Sequence, residues 1–248
     1  MDKKIRDRIS YVIVDTSSHV LAQAALMHSQ LAFPLKNSVV FSDVYEGWSA
    51  SKFIRIEPIR SLQEYSEFLI KTAWQYVDTE FFIVIQYDGF VLNPDCFLAE
   101  FLDFDYIGAV WPHFESYNVG NGGFSLRSTK IMRALNQLID DETFTLPEDL
   151  IICRKYRATL EEKYNINFAP DSIANQFSQE LSIQKHTTFG FHGFLLLPLV
   201  YRNNLSFLSR NMPKIRNHSK LREFKLGCKL ISDSHAAIEH DFETRNLI

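Results

Sequence analysis

Three short apolar runs do most to limit what this chain can fold into. They are "ISYVIV" at 9–14, "NSVVFS" at 37–42 and "FFIVI" at 81–85. Each is five or six residues long, rich in β-branched and aromatic side chains, and bounded by polar, turn-forming residues. A solvent-facing strand would alternate apolar with polar positions. Continuous runs of this length read instead as parallel strands buried on both faces. The segments between them carry helical spacing. "HVLAQAALMHSQLAF" leads up to Pro34, and "SLQEYSEFLIKTAWQYV" opens on Ser61 with Glu64 three residues on, the spacing of a capping box. In the second helix Leu62, Tyr65, Leu69, Ala73 and Tyr76 fall on one predicted face. With "FIRIEPI" as a further strand, the order is strand, helix, strand, strand, helix, strand. That predicts an α/β protein with a mixed, mostly parallel sheet flanked by helices.

The second half is less regular. "FDYIGAVW" reads as a strand ending at Trp111-Pro112. "GNGGFSLRS" is a glycine-rich bend running into a strand with Ser125 and Arg127 alternating. "TKIMRALNQLI" reads as a helix started by Ser128 or Thr129, and "TLPEDLIICRKY" as a helix with Pro147 at its first turn. The absence of an internal repeat or a Ser/Gly/Pro linker argues for one domain.

Composition excludes several classes. A net charge of −4 gives no general attraction to nucleic acid. Cys96, Cys153 and Cys228 are too few and too far apart for a zinc or disulfide framework, and suit a reducing compartment. No apolar run reaches the ~18 residues of a spanning helix, and the charged start "MDKKIRDRIS" leads into no signal-peptide core. The expectation is a cytoplasmic protein. From Tyr201 to Lys229, Arg202, Arg210, Lys214, Arg216, Lys220, Arg222, Lys225 and Lys229 face Glu223 alone. That basic segment is either a solvated face or a patch for anionic lipid or phosphate.

Ligands of open α/β sheets bind outside the carboxyl ends of the strands. This directs attention to Val14, Asp15 and Thr16, and to Asp88 in "IQYDGFV". Asp88-Gly89 fits a plain turn, and it equally fits a carboxylate holding a hard cation such as Mg²⁺ or Mn²⁺. Asn121, Gly122 and Gly123 belong to a bend that either only turns the chain or lies against a ligand. Glu148 and Asp149 complement a helix dipole, and a carboxylate there could also act as a general base. His192 in "FGFHG" is either a core residue or a metal ligand. His186 is less suggestive.

The order of these blocks resembles the nucleotide-sugar-dependent glycosyltransferases of the GT-A fold. More narrowly, "FDYIGAVW", "VGNGGFSLRS" and "FGFHG" are similar to blocks of the bacterial and fungal family of unknown function DUF5672. The resemblance runs from about residue 10 to about residue 200. It implies a GT-A domain over 1–205, with 206–248 as a basic extension packed on it or appended to it. "QYDGFV" is similar to the "DDDVFV" metal motif of fringe-like galactosyl- and N-acetylglucosaminyltransferases, with Asp88 in the place of the last acid and Gln86 and Tyr87 replacing the earlier ones.

By the same resemblance, Asp149 would be the base, Glu148 its neighbour, and His192 would join Asp88 in holding Mn²⁺ or Mg²⁺. Val14, Asp15, Thr16, Gln86 and Tyr87 would contact the nucleoside-diphosphate sugar. Asn121, Gly122 and Gly123 would line the sugar and acceptor pocket, and Trp111 would stack on a sugar ring. The implied activity is inverting transfer to a glycan or lipid-linked glycan in bacterial surface polysaccharide synthesis, with peripheral contact at the inner membrane. A retaining enzyme of the same fold and a non-catalytic nucleotide- or sugar-binding scaffold are the alternatives.

Overall fold

The structure is a computed structural model, and it describes residues 3–139, 144–181 and 187–231. His186 and residues 232–248 of the C-terminal extension lie outside these. A short helix α1 (Lys3–Arg6) precedes β1 (Ile9–Val14), and α2 (His19–Ala32) carries the chain to β2 (Asn37–Ser42) and β3 (Lys52–Arg55). Helix α3 (Leu62–Lys71) leads through a 3₁₀ turn at Ala73–Tyr76 to β4 (Phe81–Ile85) and β5 (Gly89–Val91). Then come β6 (Tyr106–Ile107), β7 (Ser125–Ser128), α4 (Thr129–Asn136), α5 (Glu148–Leu150), α6 (Arg157–Tyr164), α7 (Asp171–Phe177), β8 (Ser178–Gln179), β9 (Gly190–His192), α8 (Leu197–Val200), α9 (Leu205–Asn211) and α10 (His218–Lys229).

The main sheet has the order β3-β2-β1-β4-β7-β6. Strands β1 to β4 pair in parallel, whereas β7 runs antiparallel to both β4 and β6. This is the mixed, mostly parallel sheet that the apolar runs predict. Every residue of β1 and of β4 is buried, because helices cover both faces, and that is why these strands show no alternation. A second sheet of β5, β9 and β8 pairs Gly89 with His192.

Several details depart from the sequence reading. Helix α3 stops at Lys71, and its buried residues are Ser66, Leu69 and Ile70, while Leu62 is 59% exposed and Tyr76 37% exposed. The inward face is therefore rotated from the predicted one. Ser61 does cap the helix, accepting from Glu64 N at 3.1 Å. Glu64 Oε2 accepts from Arg60 N at 2.8 Å, one residue before the position a capping box would use. Strand β6 is only two residues long. "PEDLIICRK" has α5 broken by a π-type turn at Ile151–Lys155, and Pro147 stands at the cap position. Helices α9 and α10 contribute Leu208, Phe224 and Cys228, and the connection between them Met212 and Ile215, to the same apolar core that holds β1 and β4 residues.

Candidate active site

Strand register assembles the site. Strand β1 lies between β2 and β4, so the chain runs outward on one side of β1 and then on the other. The gap between the ends of β1 and β4 is a topological switch point, where a crevice opens in such sheets. Ile13 pairs with Ile85, so the chain leaves the two strands with Val14 beside Gln86 and Asp15 beside Tyr87. A pocket of about 160 Å³ sits there, lined by Val14, Asp15, Thr16, Ser17, Ile59, Tyr65, Gln86 and Tyr87. Whole small-molecule sites span roughly 300–1,000 Å³, so this one suits a ring-sized fragment. Asp15 is nearly buried, and its Oδ1 accepts from Ser17 N and Ser18 N at 3.1 and 2.8 Å. Burial pushes its acidity down, raising the pKa, and those two N–H groups oppose the shift. Thr16 Oγ1 accepts from Ile59 N at 2.9 Å, fixing the pocket wall. Gln86 Nε2 donates to the Tyr65 hydroxyl at 2.7 Å.

Asp88 sits in the tight turn that one of its two readings called for. Gln86 and Gly89 exchange backbone hydrogen bonds at 2.9 and 3.0 Å, so Tyr87-Asp88 forms the tip of a tight turn. Yet the Asp88 side chain turns inward and is buried. Its Oδ1 accepts no hydrogen bond. Facing it, 3.7 Å away, is His192 Nε2, which the Gly89–His192 register delivers. A buried carboxylate oxygen without a donor is costly unless a cation or ligand answers it.

On the other side of the imidazole, Nδ1 lies 3.0 Å from Glu180 Oε1 and 2.8 Å from Asn121 Nδ2. Glu180 can only accept, so the ring donates from Nδ1 and leaves Nε2 toward Asp88. Burial disfavours the charged ring, but Asp88 and the Glu180 hydrogen bond outweigh it and hold the His192 pKa up at about 8. Two donors each about 2.1 Å from one ion can lie up to about 4.2 Å apart, so Asp88 and His192 fit a single Mg²⁺ or Mn²⁺. Among the described residues no group of three or more His, Cys, Asp or Glu side chains converges. An ion here would therefore take its other ligands from water or phosphate.

The antiparallel pairing of β7 with β4 sets Ser125 opposite Val84 and so brings the preceding loop to the same edge. Asn121 adopts a left-handed backbone at φ 59° and is buried. Its Oδ1 accepts from Gly123 N at 3.0 Å, which turns the amide nitrogen, a donor, toward the Glu180 carboxylate beside the His192 ring. The glycines are required by neighbouring side chains. A Cβ on Gly123 would run into the His192 ring, and one on Gly122 into the Glu148 carboxylate. Gly122 N donates to Asp149 Oδ2 at 3.1 Å, and Leu150 N donates to Oδ1 at 2.8 Å. Desolvation, with Glu148 beside it, pushes the Asp149 pKa up to about 7.

Two predicted residues have other surroundings. Glu148 is buried and ion-paired, its Oε1 3.0 Å from Arg127 Nη2, and its backbone N donates to Ser66 Oγ at 3.1 Å. Its carboxylate is thus committed to Arg127, not directed at a substrate. Trp111 is 6% exposed and its ring covers Gly120. Packed so, it belongs to the core and has no free face on which a sugar ring could stack.

The sequence reading missed Glu180, Tyr65 and the Arg127–Glu148 pair. Nothing in "FSQELS" marks Glu180. Arg127 did carry a signal, since an arginine inside a buried strand needs a carboxylate partner.

Fold and site together define an α/β protein whose candidate site is a polar, partly buried edge at the carboxyl ends of its parallel strands. The chain belongs to the DUF5672 family, described as a protein of unknown function, whose model matches residues 49–192. No match is found among curated proteins. Among solved structures, a glycosyltransferase involved in the glycosylation of the major capsid of PBCV-1 is similar at 11% identity and a TM-score of 0.42, over 74% of this chain and 91% of that one. A likeness this distant says nothing of what this chain does.

Proposed function

We propose that the chain is an inverting glycosyltransferase. It moves a sugar from a nucleoside diphosphate to a hydroxyl of a glycan or lipid-linked glycan, in bacterial surface polysaccharide synthesis on the cytoplasmic side of the inner membrane. The observation that carries the reading is the buried, hydrogen-bond-free Asp88 Oδ1 facing His192 Nε2, next to a ring-sized pocket at the β1/β4 switch point.

Val14, Asp15, Thr16, Gln86 and Tyr87 hold the nucleoside. Asp88 and His192 would hold Mg²⁺ or Mn²⁺. When bound, that cation neutralises charge developing on the leaving group. Asn121, Gly122 and Gly123 border the space for sugar and acceptor. Asp149 accepts the proton of the acceptor hydroxyl as that oxygen bonds to the anomeric carbon. The bond from that carbon to the diphosphate breaks on the opposite face, so configuration inverts. A carboxylate whose pKa is about 7 is a stronger base than an ordinary one.

The sign of the pH dependence follows. Below about pH 7 Asp149 is protonated and accepts nothing, so kcat/KM rises with pH and levels off above it. Asp149→Ala removes transfer and donor hydrolysis at least 100-fold while nucleoside diphosphate binding persists. Product NMR that resolves the anomers reports inversion. Retention of donor configuration defeats the base assignment. Absence of turnover in the wild type, with nucleotide binding intact, makes the protein a scaffold.

A further inference from the structure

Helix α2 is apolar on two sides. Leu21, Ala22, Ala25 and Leu26 face the core. Val20, Ala24, Met27 and Leu31 form a second stripe, and Val20, Met27 and Leu31 are 48%, 57% and 78% exposed. At 1.5 Å per residue the stripe runs about 16 Å. It borders a cavity of about 360 Å³, whose other apolar walls include Phe90, Val200, Tyr201 and Phe207. Through Ala24, Met27 and Phe207 the cavity continues into a hollow of about 220 Å³ along the same helix. Its polar lining is His28, Asn203 and Asn204, and none of the lining residues of either hollow is Asp, Glu, Lys or Arg.

The rim is cationic at the end formed by α9 and the loop before it, while exposed Glu46 adjoins the lining residue Gly47 at the other. Exposed Arg202 sits between the lining residues Tyr201 and Asn203, and exposed Arg210 follows Phe207 by one helical turn. Beyond them α10 packs inward through Phe224, Gly227 and Cys228. It leaves Arg222, Lys229, Leu226 and Leu230 exposed. A long apolar groove edged by cations is complementary to an amphiphile with an apolar chain and an anionic head. A helix lying in the interface meets such molecules in that way. Among the described residues no helix is long and apolar enough to cross a membrane, so contact here would be from one side.

We propose that the α2–α9 groove, with Arg202 and Arg210 at its cationic end, docks the protein on a bilayer containing anionic lipid, the groove taking an apolar chain while the two arginines meet the phosphate. This gives the membrane contact of the proposed function a location, and its geometry does not depend on sugar transfer.

Co-sedimentation with vesicles tests it, using phosphatidylcholine alone and phosphatidylcholine mixed equally with phosphatidylglycerol. The wild type binds the mixed vesicles at least tenfold more tightly than the neutral ones. Met27→Asp with Leu31→Asp, and separately Arg202→Glu with Arg210→Glu, each weaken that binding at least tenfold, at roughly fivefold per cation lost. All four side chains are at the surface, and unchanged thermal melting shows the variants folded. Absence of vesicle binding by the wild type overturns the proposal, as does retained binding in either variant. So does a solution dimer that Leu31→Asp dissociates and that ignores vesicles. A protein that binds vesicles and transfers no sugar defeats the glycosyltransferase reading and leaves this one standing.

Discussion

Arg127 shows how much the site depends on a residue that touches no substrate in the reading above. Its guanidinium is fully buried, donating to Glu148 Oε1, to Gly122 O at 3.2 Å and to Ser125 Oγ at 3.0 Å, with the Tyr106 ring 5.4 Å away. It ties the glycine loop to the start of α5 and so sets where Asp149 stands. Arg127→Met leaves the Glu148 carboxylate buried and unpaired, which costs about 3–5 kcal/mol. For a chain of this size that lowers the melting temperature by roughly 6–20 °C. Calorimetry checks it, and Arg127→Met with Glu148→Leu should recover much of the loss, because an apolar pair of similar volume needs no partner. Among single residues, Asp88, Asp149 and His192 could be picked out because charged or titratable groups interrupt apolar or glycine-rich text. Glu180 could not, because a lone acid in "SQEL" looks like any surface carboxylate until the fold sets it against Nδ1 of His192.

At the scale of elements, the strands were legible where burial on both faces removes alternation, as in β1, β2 and β4. Helix α3 was misjudged because its apolar positions continue to Tyr76, whereas the chain tightens into a 3₁₀ turn after Thr72. Trp111 was misplaced for a related reason. A tryptophan beside a glycine-rich loop suggests a stacking platform, and only the tertiary packing reveals that Gly120 exists to admit its ring. In the loop before β7, the space that Gly122 and Gly123 leave at their Cβ positions is filled by Glu148 and His192. Gly123→Ala should therefore displace the imidazole. We expect Mn²⁺ affinity, measured by calorimetry with a nucleoside diphosphate present, to fall about 10–100-fold, the range seen when a ligand's support is disturbed. Unchanged affinity would mean that the ring relocates freely and that the loop does not position it.

For the whole molecule, the α/β class followed from the first 90 residues, but the connection between the two ends of the chain did not. The segment from α9 through α10 places Leu208, Met212, Ile215 and Phe224 in the main core at 8% exposure or less. A chain cut after residue 205 would expose the apolar surface these cover. We expect it to aggregate, or to lose the single cooperative melting transition of the full chain, as scanning calorimetry would show. A soluble, cooperatively folding fragment would instead make 206–248 an appendage. Sequence could not separate these cases, since a basic segment with scattered apolar residues reads alike whether it wraps a core or trails from it.

The pairing of Gly89 with His192 also fixes when the protein can first work. Its two facing groups, Asp88 and His192, lie far apart along the chain and meet only through the contact of β5 with β9. Such long-range pairing forms late, because a large loop must close before any contact rewards it. During synthesis the residues lining the switch-point pocket have all left the ribosome soon after β4, while the Asp88 carboxylate waits for β9 and the core around β1 and β4 waits for α9 and α10. Under the proposed function, any activity would arrive only with the final third of the chain.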